Sequence, residues 1–427
     1  MDYAQTIEFL YHSLPAFHRV GGPAYKANLN NTLALDGYFG HPHRKFKTVH
    51  VAGTNGKGSV SHMLAAVLQQ SGYRTGLYTS PHLKDFTERI RINGETIDRQ
   101  EVVAWVEKHL GILDQIKPSF FEMSVAMAFD YFATNGVEVA VVEVGMGGRL
   151  DSTNIITPEL SVITNISFDH TQFLGHTLPA IAGEKAGIIK TGIPVVIGET
   201  HSETREVFMA KAGEMSSSIQ FADTRYRVTA TGHDQGRQVF ELKDTRGEIQ
   251  YIQLDLLGSY QVKNIVTAVA ALDFLKEKFP DITRESIDKG LHHAGSITGL
   301  HGRWEILQVH PSVICDTAHN EGGIRLAMEQ LVRVPHDTLH IVFGMVKDKD
   351  PSAVLALLPV DARYYFTKAA IPRALDENLL AEKAALYGLK GHTYTSVQSA
   401  FEAAMAIASD RDVVFIGGSN FVVSEIL

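Results

Sequence analysis

From Val139 to Val142 the chain sets four apolar residues in a row between Glu138 and Glu143. So short and continuous a run reads as a strand buried on both faces, the mark of a parallel sheet covered by helices. FKTVHVAG, RTGLYTS, LSVITNI and IPVVIG repeat that strand-like character. Between such runs lie segments of helical period. GSVSHMLAAVLQQSG closes at Gly72, EVVAWVEKHL is opened by Asp98 with Glu101 as in a capping box, and SFFEMSVAMAFDYFATNG stops at Asn135-Gly136. Strand and helix in alternation place the chain in the α/β class. Its 427 residues exceed one ordinary core, so two or three domains are expected.

Two stretches depart from the alternation. From about Tyr226 to Leu256, RYRVTATG, QVFELKD and IQYIQLDL alternate apolar and polar residues, which predicts a small antiparallel meander appended to the parallel sheet. GLHHAGSITGLHGR carries four glycines and little periodicity and reads as a linker or hinge around Gly295–Gly302. Beyond it SVICDT, LHIVFGM, ARYYFTK and DVVFIGG are strands separated by helices, a second α/β domain of about 130 residues. The expected architecture is a mostly parallel α/β domain over residues 1–296 and a smaller Rossmann-like α/β domain over 297–427. No internal repeat is visible.

Composition removes several classes of function. Asp+Glu number 48 against 39 Lys+Arg, a net charge of −9, with no long basic run, so binding along nucleic acid by phosphate neutralisation is not expected. Cys315 is the single cysteine, which excludes an internal disulfide and a cysteine zinc site. No apolar stretch approaches the roughly 18 residues of a membrane span, and MDYAQTIEFLYHSL lacks a basic leader segment. A cytoplasmic protein is expected, with no membrane partner.

The chemistry starts at Gly53-Thr54-Asn55-Gly56-Lys57-Gly58-Ser59, between a predicted strand and a predicted helix. A glycine-rich turn there lets backbone N–H groups and a helix N-terminus converge on phosphate oxygens. Lys57 supplies a charge for the β/γ-phosphates, and a nearby hydroxyl can ligate Mg²⁺. The general P-loop pattern is altered: Val51 stands where the first glycine would be, and Gly58 moves the hydroxyl to Ser59. ATP or GTP binding follows. Glu143 ends a buried strand beside Gly145-Met146-Gly147-Gly148-Arg149, where open α/β sheets place ligand chemistry. It could hold Mg²⁺ with Ser59, or be a solvated strand end. Read alone, His170 is as well a structural hydrogen-bonder and Lys185 a solvated helix residue.

GTNGKGS resembles the phosphate loop of the Mur ligase superfamily, and its Gly-Ser ending is most like folylpolyglutamate synthase and dihydrofolate synthase. Glu143 through Asn154, Asp169-His170-Thr171 and Glu184-Lys185-Ala186-Gly187-Ile188 look like three signatures of that family in its order. The resemblance implies two Mg²⁺ ions. One would sit among Ser59, Ser80 and Glu143; the other among Glu143, His170 and Lys185, the lysine carbamylated so that a cation becomes an oxygen ligand. It places Asp151 and the Phe120-Phe121 pair toward the pterin, with core packing an equal reading for the phenylalanines. Asn264 would reach the adenine, Arg303 the nucleotide, and Asp316 and His319 the ribose or the cleft between domains. Lys347 also falls in a family motif, and Ser419 would lie near glutamate. Cys315 reads as a buried core thiol.

The implied reaction is ATP-dependent addition of L-glutamate to a folate, or to dihydropteroate, through an acyl phosphate, by a monomer. Lys57, Lys185 and His170 are the expected catalytic residues. A murein-precursor ligase is disfavoured because only about 50 residues precede Gly53, too few for the nucleotide-sugar domain of those enzymes. A P-loop switch protein remains the alternative: it would explain Lys57, Ser59 and Glu143 but needs no second metal cluster.

Overall fold

The computed structural model describes residues 1–16 and 26–427. Among these, one unit comprises residues 1–16, 26–255 and 261–300, and a second comprises 256–260 and 301–427. The division falls between Leu300 and His301 rather than after residue 296, and the short segment 256–260 belongs to the second unit.

The first unit is built on an eight-stranded sheet. Its strands are β1 (Lys47–Ala52), β2 (Thr75–Tyr78), β3 (Ile90–Ile92), β4 (Glu95–Thr96), β5 (Val139–Glu143), β6 (Leu160–Ile163), β7 (Val195–Ile197) and β8 (Ile219–Phe221), ordered β4-β3-β2-β5-β1-β6-β7-β8. All pairings from β2 to β8 are parallel; β3 and β4 run antiparallel at one edge. That edge hairpin escaped the periodicity reading, although Asn93-Gly94 marks its turn, both residues having positive φ (48° and 83°). Val139, Ala140, Val141 and Val142 are wholly buried, as their unbroken run requires, each valine contributing on the order of 2 kcal/mol by leaving water. One core lies under the helices Arg99–Ile116 and Phe120–Thr134, another under Leu178–Ala186 and Arg205–Glu214. The Phe120–Thr134 helix starts on a reciprocal cap: Ser119 Oγ accepts from Glu122 N–H at 3.2 Å, and Glu122 Oε2 accepts from Ser119 N–H at 2.6 Å.

The meander forms as β9 (Tyr226–Asp234), β10 (Arg237–Asp244) and β11 (Ile249–Leu254), an antiparallel sheet of its own rather than an extension of the main one. The expected linker is a correction. Residues Arg284–His292 and Ala294–Thr298 are helical, and both belong to the first unit. The signal missed is Asp255, whose carboxylate accepts from the N–H groups of Gly295 (2.8 Å) and Ser296 (2.9 Å). A carboxylate at those orphan donors holds a turn that glycine content alone would leave loose.

The second unit carries a six-stranded sheet: β12 (Glu305–Gln308), β13 (Ser312–Cys315), β14 (Leu339–Phe343), β15 (Arg363–Thr367), β16 (Gly391–Tyr394) and β17 (Val413–Gly417), ordered β12-β13-β17-β14-β15-β16. Only the β12–β13 pairing is antiparallel. Separate cores cover its two faces, and Cys315, fully buried, sits in one of them. Burial pushes its thiol pKa up, so it is inert packing as the sequence suggested.

Candidate active site

The order β2-β5-β1-β6 decides what meets what. These neighbours are parallel, with Tyr78 paired to Val142, Val51 to Glu143 and Ala52 to Ile163. Ser80, Glu143, Gly53 and Thr164 therefore leave the sheet along one carboxyl edge, far apart as they are in sequence.

The phosphate loop is gripped from β6. Thr54 N–H donates to Asn165 O at 2.8 Å, the Thr164 hydroxyl donates to Asn55 O at 2.6 Å, and Asn55 Nδ2 donates to Ser167 Oγ at 3.1 Å. Gly53 (φ 151°) and Gly56 (φ 86°) are needed where they stand: a Cβ on Gly53 would lie 1.9 Å from Thr164 Oγ1, and one on Gly56 2.3 Å from Asn264 Oδ1. Gly56 caps the Lys57–Gln70 helix without a side chain, leaving the first-turn N–H groups facing the loop. Lys57 Nζ rests on Thr54 O at 3.2 Å. Ser59 is buried and accepts from Gln261 Nε2 at 3.2 Å, and Asn264 Nδ2 donates to Gln261 Oε1 at 2.7 Å. Asn264 is thus buried beneath the loop at Gly56, not on a helix surface.

Glu143 is 5% exposed, and its Oε2 accepts the backbone N–H of Ser80 at 3.1 Å. That bond brings two of the three expected ligands of one cation together. Serine hydroxyls and a carboxylate are hard oxygen donors that suit Mg²⁺ held chiefly by a nucleotide's phosphates. Among the described residues no group of three or more His, Cys, Asp or Glu could hold a metal without such help.

Lys185 is not a solvated helix residue. It is 4% exposed, and its Nζ donates to Gly53 O at 2.9 Å, against the phosphate loop. Burial first, and the Lys57 ammonium second, lower its pKa to about 7, while Asp169 and Asp151 pull the other way. His170 follows in a left-handed conformation (φ 50°), its N–H on Asp169 Oδ1 at 2.8 Å. Loop 145–149 is locked to the Lys185 helix: Arg149 N–H donates to Glu184 O at 2.8 Å, and the Arg149 guanidinium meets Glu184 Oε1 at 2.8 Å.

Asp151 and Phe121 also converge. A Cβ on Gly145 would lie 2.5 Å from Phe121 Cζ and 3.2 Å from Asp151 Oδ2. Phe121 is half-buried with its ring 6.2 Å from that of Tyr78, whereas Phe120 is buried and stacked on Tyr11 at 5.0 Å. The equal reading of the pair therefore separates, Phe120 to the core and Phe121 to the site's rim. Burial raises the Asp151 pKa against hydrogen bonds from Thr153 and from Met146 N–H, 2.9 Å away. Thr153 Oγ1 in turn touches His50 Nε2 at 2.9 Å. Sequence reasoning missed Thr164, Asn165, Ser167, Gln261 and His50. Its one available signal was TNIS at the carboxyl end of β6.

In the second unit the carboxyl ends of β13 and β17, paired through Cys315 and Ile416, bring Asp316 and Ser419 to one edge. Asp316 is 2% exposed with both oxygens engaged. Oδ2 accepts from the Tyr260 hydroxyl (2.6 Å) and Trp304 N–H (2.8 Å), and Oδ1 from Ala318 N–H (2.8 Å). It braces the segment 256–260 instead of presenting a free carboxylate. Ser419 caps the Asn420–Ser424 helix by accepting from Phe421 N–H at 3.2 Å. Half-buried His319 faces Thr317 O at 3.0 Å, Arg303 reaches Gly302 O at 3.2 Å, and Lys347 Nζ donates to Pro372 O at 2.9 Å.

Models of the Mur ligase middle domain and of the Mur ligase glutamate ligase domain match residues 51–272 and 302–420. Folylpolyglutamate synthase of Lacticaseibacillus casei is 34% identical over 436 residues, covering 100% of this chain and 98% of that protein. A probable bifunctional folylpolyglutamate synthase/dihydropteroate synthase of Haloferax volcanii is 34% identical over 434 residues, but the chain spans only 50% of its length. Among solved structures, Mycobacterium tuberculosis folylpolyglutamate synthase complexed with ADP superposes with a TM-score of 0.88 at 32% identity, over 99% of this chain and 97% of that one. The bifunctional folylpolyglutamate synthase/dihydrofolate synthase of Yersinia pestis, complexed with AMPPNP and Mn ion, gives 0.83 at 27% identity, over 100% and 97%. With two domain models in order and full-length likeness in sequence and fold, this chain belongs to the folylpolyglutamate synthase/dihydrofolate synthase family of the Mur ligases.

Proposed function

We propose that the chain is an ATP-dependent ligase that adds L-glutamate both to reduced folates and to dihydropteroate. One observation carries the reading. Lys185, buried and drawn to Gly53 O, joins Glu143 and Ser80 at the carboxyl edge that holds the phosphate loop. A nucleotide switch would use the loop and Glu143 and would have no need to bury a lysine there.

The acceptor's carboxylate attacks the γ-phosphorus of ATP, the bond to the β-phosphate oxygen breaks, and acyl phosphate and ADP form. The amine of glutamate then attacks the acyl carbon, and phosphate leaves with the new amide in place. Lys57 and the Lys57–Gln70 helix N-terminus stabilise charge on the transferring phosphoryl group. Asp151 and Phe121 hold the pterin end, the carboxylate by hydrogen bonding and the ring by stacking. Bound Mg²⁺, held by Ser59, Ser80 and Glu143 and, for a second ion, by Glu143, His170 and the carbamate of Lys185, would neutralise phosphate charge. An ammonium cannot ligate a cation, but with a pKa lowered to about 7 Lys185 has a substantial free-amine fraction near neutral pH, and that amine can add CO₂, losing a proton, to become a carbamate. Asp316 and Ser419 serve as positioning residues for the loops carrying Arg303 and His319.

The test is ADP release with MgATP and L-glutamate, given dihydropteroate, tetrahydrofolate or no acceptor. Release with both acceptors and glutamate is expected. Release with tetrahydrofolate alone removes the dihydrofolate synthase half, and release without any acceptor moves the reading to a nucleotide-hydrolysing switch.

A further inference from the structure

At the opposite, amino-terminal edge of the first sheet lies a groove of about 820 Å³. β1 starts in it with Lys47 and ends just before Gly53, so roughly 20 Å of strand separates the groove from the phosphate loop. Arg44, Lys45 and Lys47 line it from one side, and Lys278 lines it from the end of the Gln261–Lys278 helix. Its carboxylates are Glu138, whose Oε2 accepts Arg74 N–H at 2.7 Å, and Glu159, 4.0 Å from Lys278 Nζ. Among the described residues Arg44, Lys45 and Lys47 make no salt bridge, although Lys47 Nζ lies 4.9 Å above the Phe279 ring. A chain carrying a net charge of −9 thus gathers four cations against two acids in one concavity.

The chemistry of the lining selects among anions. No loop-to-helix turn with converging N–H groups opens here, unlike the phosphate loop; strand beginnings border the groove together with a helix carbonyl end, which opposes any anion and leaves binding to the side-chain cations. Compact phosphate therefore lacks its usual cradle. Arg44, Lys45 and Lys47 reach the groove from one short segment and Lys278 from another, long side chains that can meet several carboxylates of a flexible chain. Phe46 and Phe279 supply a buried apolar floor for the methylenes of such a chain. The volume lies in the range of small-molecule sites.

We propose that this groove binds a flexible oligocarboxylate, the γ-linked glutamate chain of the enzyme's own product; the choice of that source rests on the ligase reading above. The groove is separate from the catalytic edge, where the pterin end and the reacting carboxylate are both held, so it takes the glutamate chain of a released product and not of a substrate in turnover.

Calorimetric titration of penta-γ-glutamate, a peptide without a pterin, into the full chain at low salt tests this. Binding is expected to fall at least tenfold in the Arg44→Glu/Lys45→Glu double variant and in the separate Lys278→Glu variant. ADP release with tetrahydrofolate monoglutamate should stay within twofold of the parent in both. Unchanged peptide affinity in both variants overturns the proposal, as does competition by inorganic phosphate at equal strength. Absence of ligase turnover in the parent chain would instead strike the functional reading: peptide binding that still depends on Arg44, Lys45 and Lys278 would then leave an oligocarboxylate site with another source.

Discussion

His50 gives a test of how the site's second layer is held. It lies in β1, fully buried, with Nε2 2.9 Å from Thr153 Oγ1, and Thr153 Oγ1 donates to Asp151 Oδ1 at 2.5 Å. Because the threonine proton goes to Asp151, His50 must donate from Nε2, which leaves Nδ1 buried and bare of a proton. Burial, and secondarily the nearby Lys190 ammonium, lower its pKa from 6.5 to about 3. The sign follows from linkage. Above pH 6.5 neither folded nor unfolded imidazole is charged, and the fold has its full stability with respect to this group. As pH falls from 6.5 toward 3 the unfolded chain takes a proton that the folded chain refuses, at about 1.4 kcal/mol per unit. By pH 4.5 the accumulated loss is about 2.5 kcal/mol. His50→Gln keeps an N–H donor toward Thr153 and cannot titrate. Urea denaturation followed by Trp105 emission in a Trp304→Phe background reads the first unit alone, since each unit holds one of the two tryptophans. Between pH 7 and 4.5 the parent should lose about 2.5 kcal/mol more than His50→Gln. Parallel pH curves for the two proteins would refute the argument.

Four further outcomes are expected. Gly53→Ala forces a Cβ to within 1.9 Å of Thr164 Oγ1, and should lower ADP release at least 100-fold and unfolding stability by roughly 2–4 kcal/mol, measured by denaturation. Lys185→Ala should abolish turnover, and acetate or bicarbonate should partly restore it if a carbamate is the working form; equal inactivity at all carboxylate concentrations counts against that form. Phe121→Ala should raise the KM for the pterin acceptor while leaving that for ATP unchanged, a split visible in steady-state kinetics. Tyr260→Phe removes one donor from buried Asp316 and should cost the second unit about 1–3 kcal/mol in Trp304-monitored unfolding.

The chain's local patterns determined its α/β class, most of its strands and helices, the phosphate loop and the candidacy of Glu143, whereas His170, Lys185 and Asp151 stood out only through resemblance to a family. Buried parallel strands demand continuous Val and Ile, and a phosphate turn demands glycine and lysine at fixed spacing; both are nearest-neighbour demands that a sequence must display. What tertiary structure decided is everything resting on strand order. Only β2-β5-β1-β6 adjacency puts Ser80 N–H on Glu143 and hangs the phosphate loop from Thr164 and Asn165. Lys185 as a helix residue has the pattern of any surface lysine until packing buries it against Gly53 O. The glycine-rich stretch near 295 looks like a linker until Asp255, 40 residues earlier, caps it into helix. Burial, charge proximity and capping from a distance are properties of neighbours in space, and no window of sequence contains them.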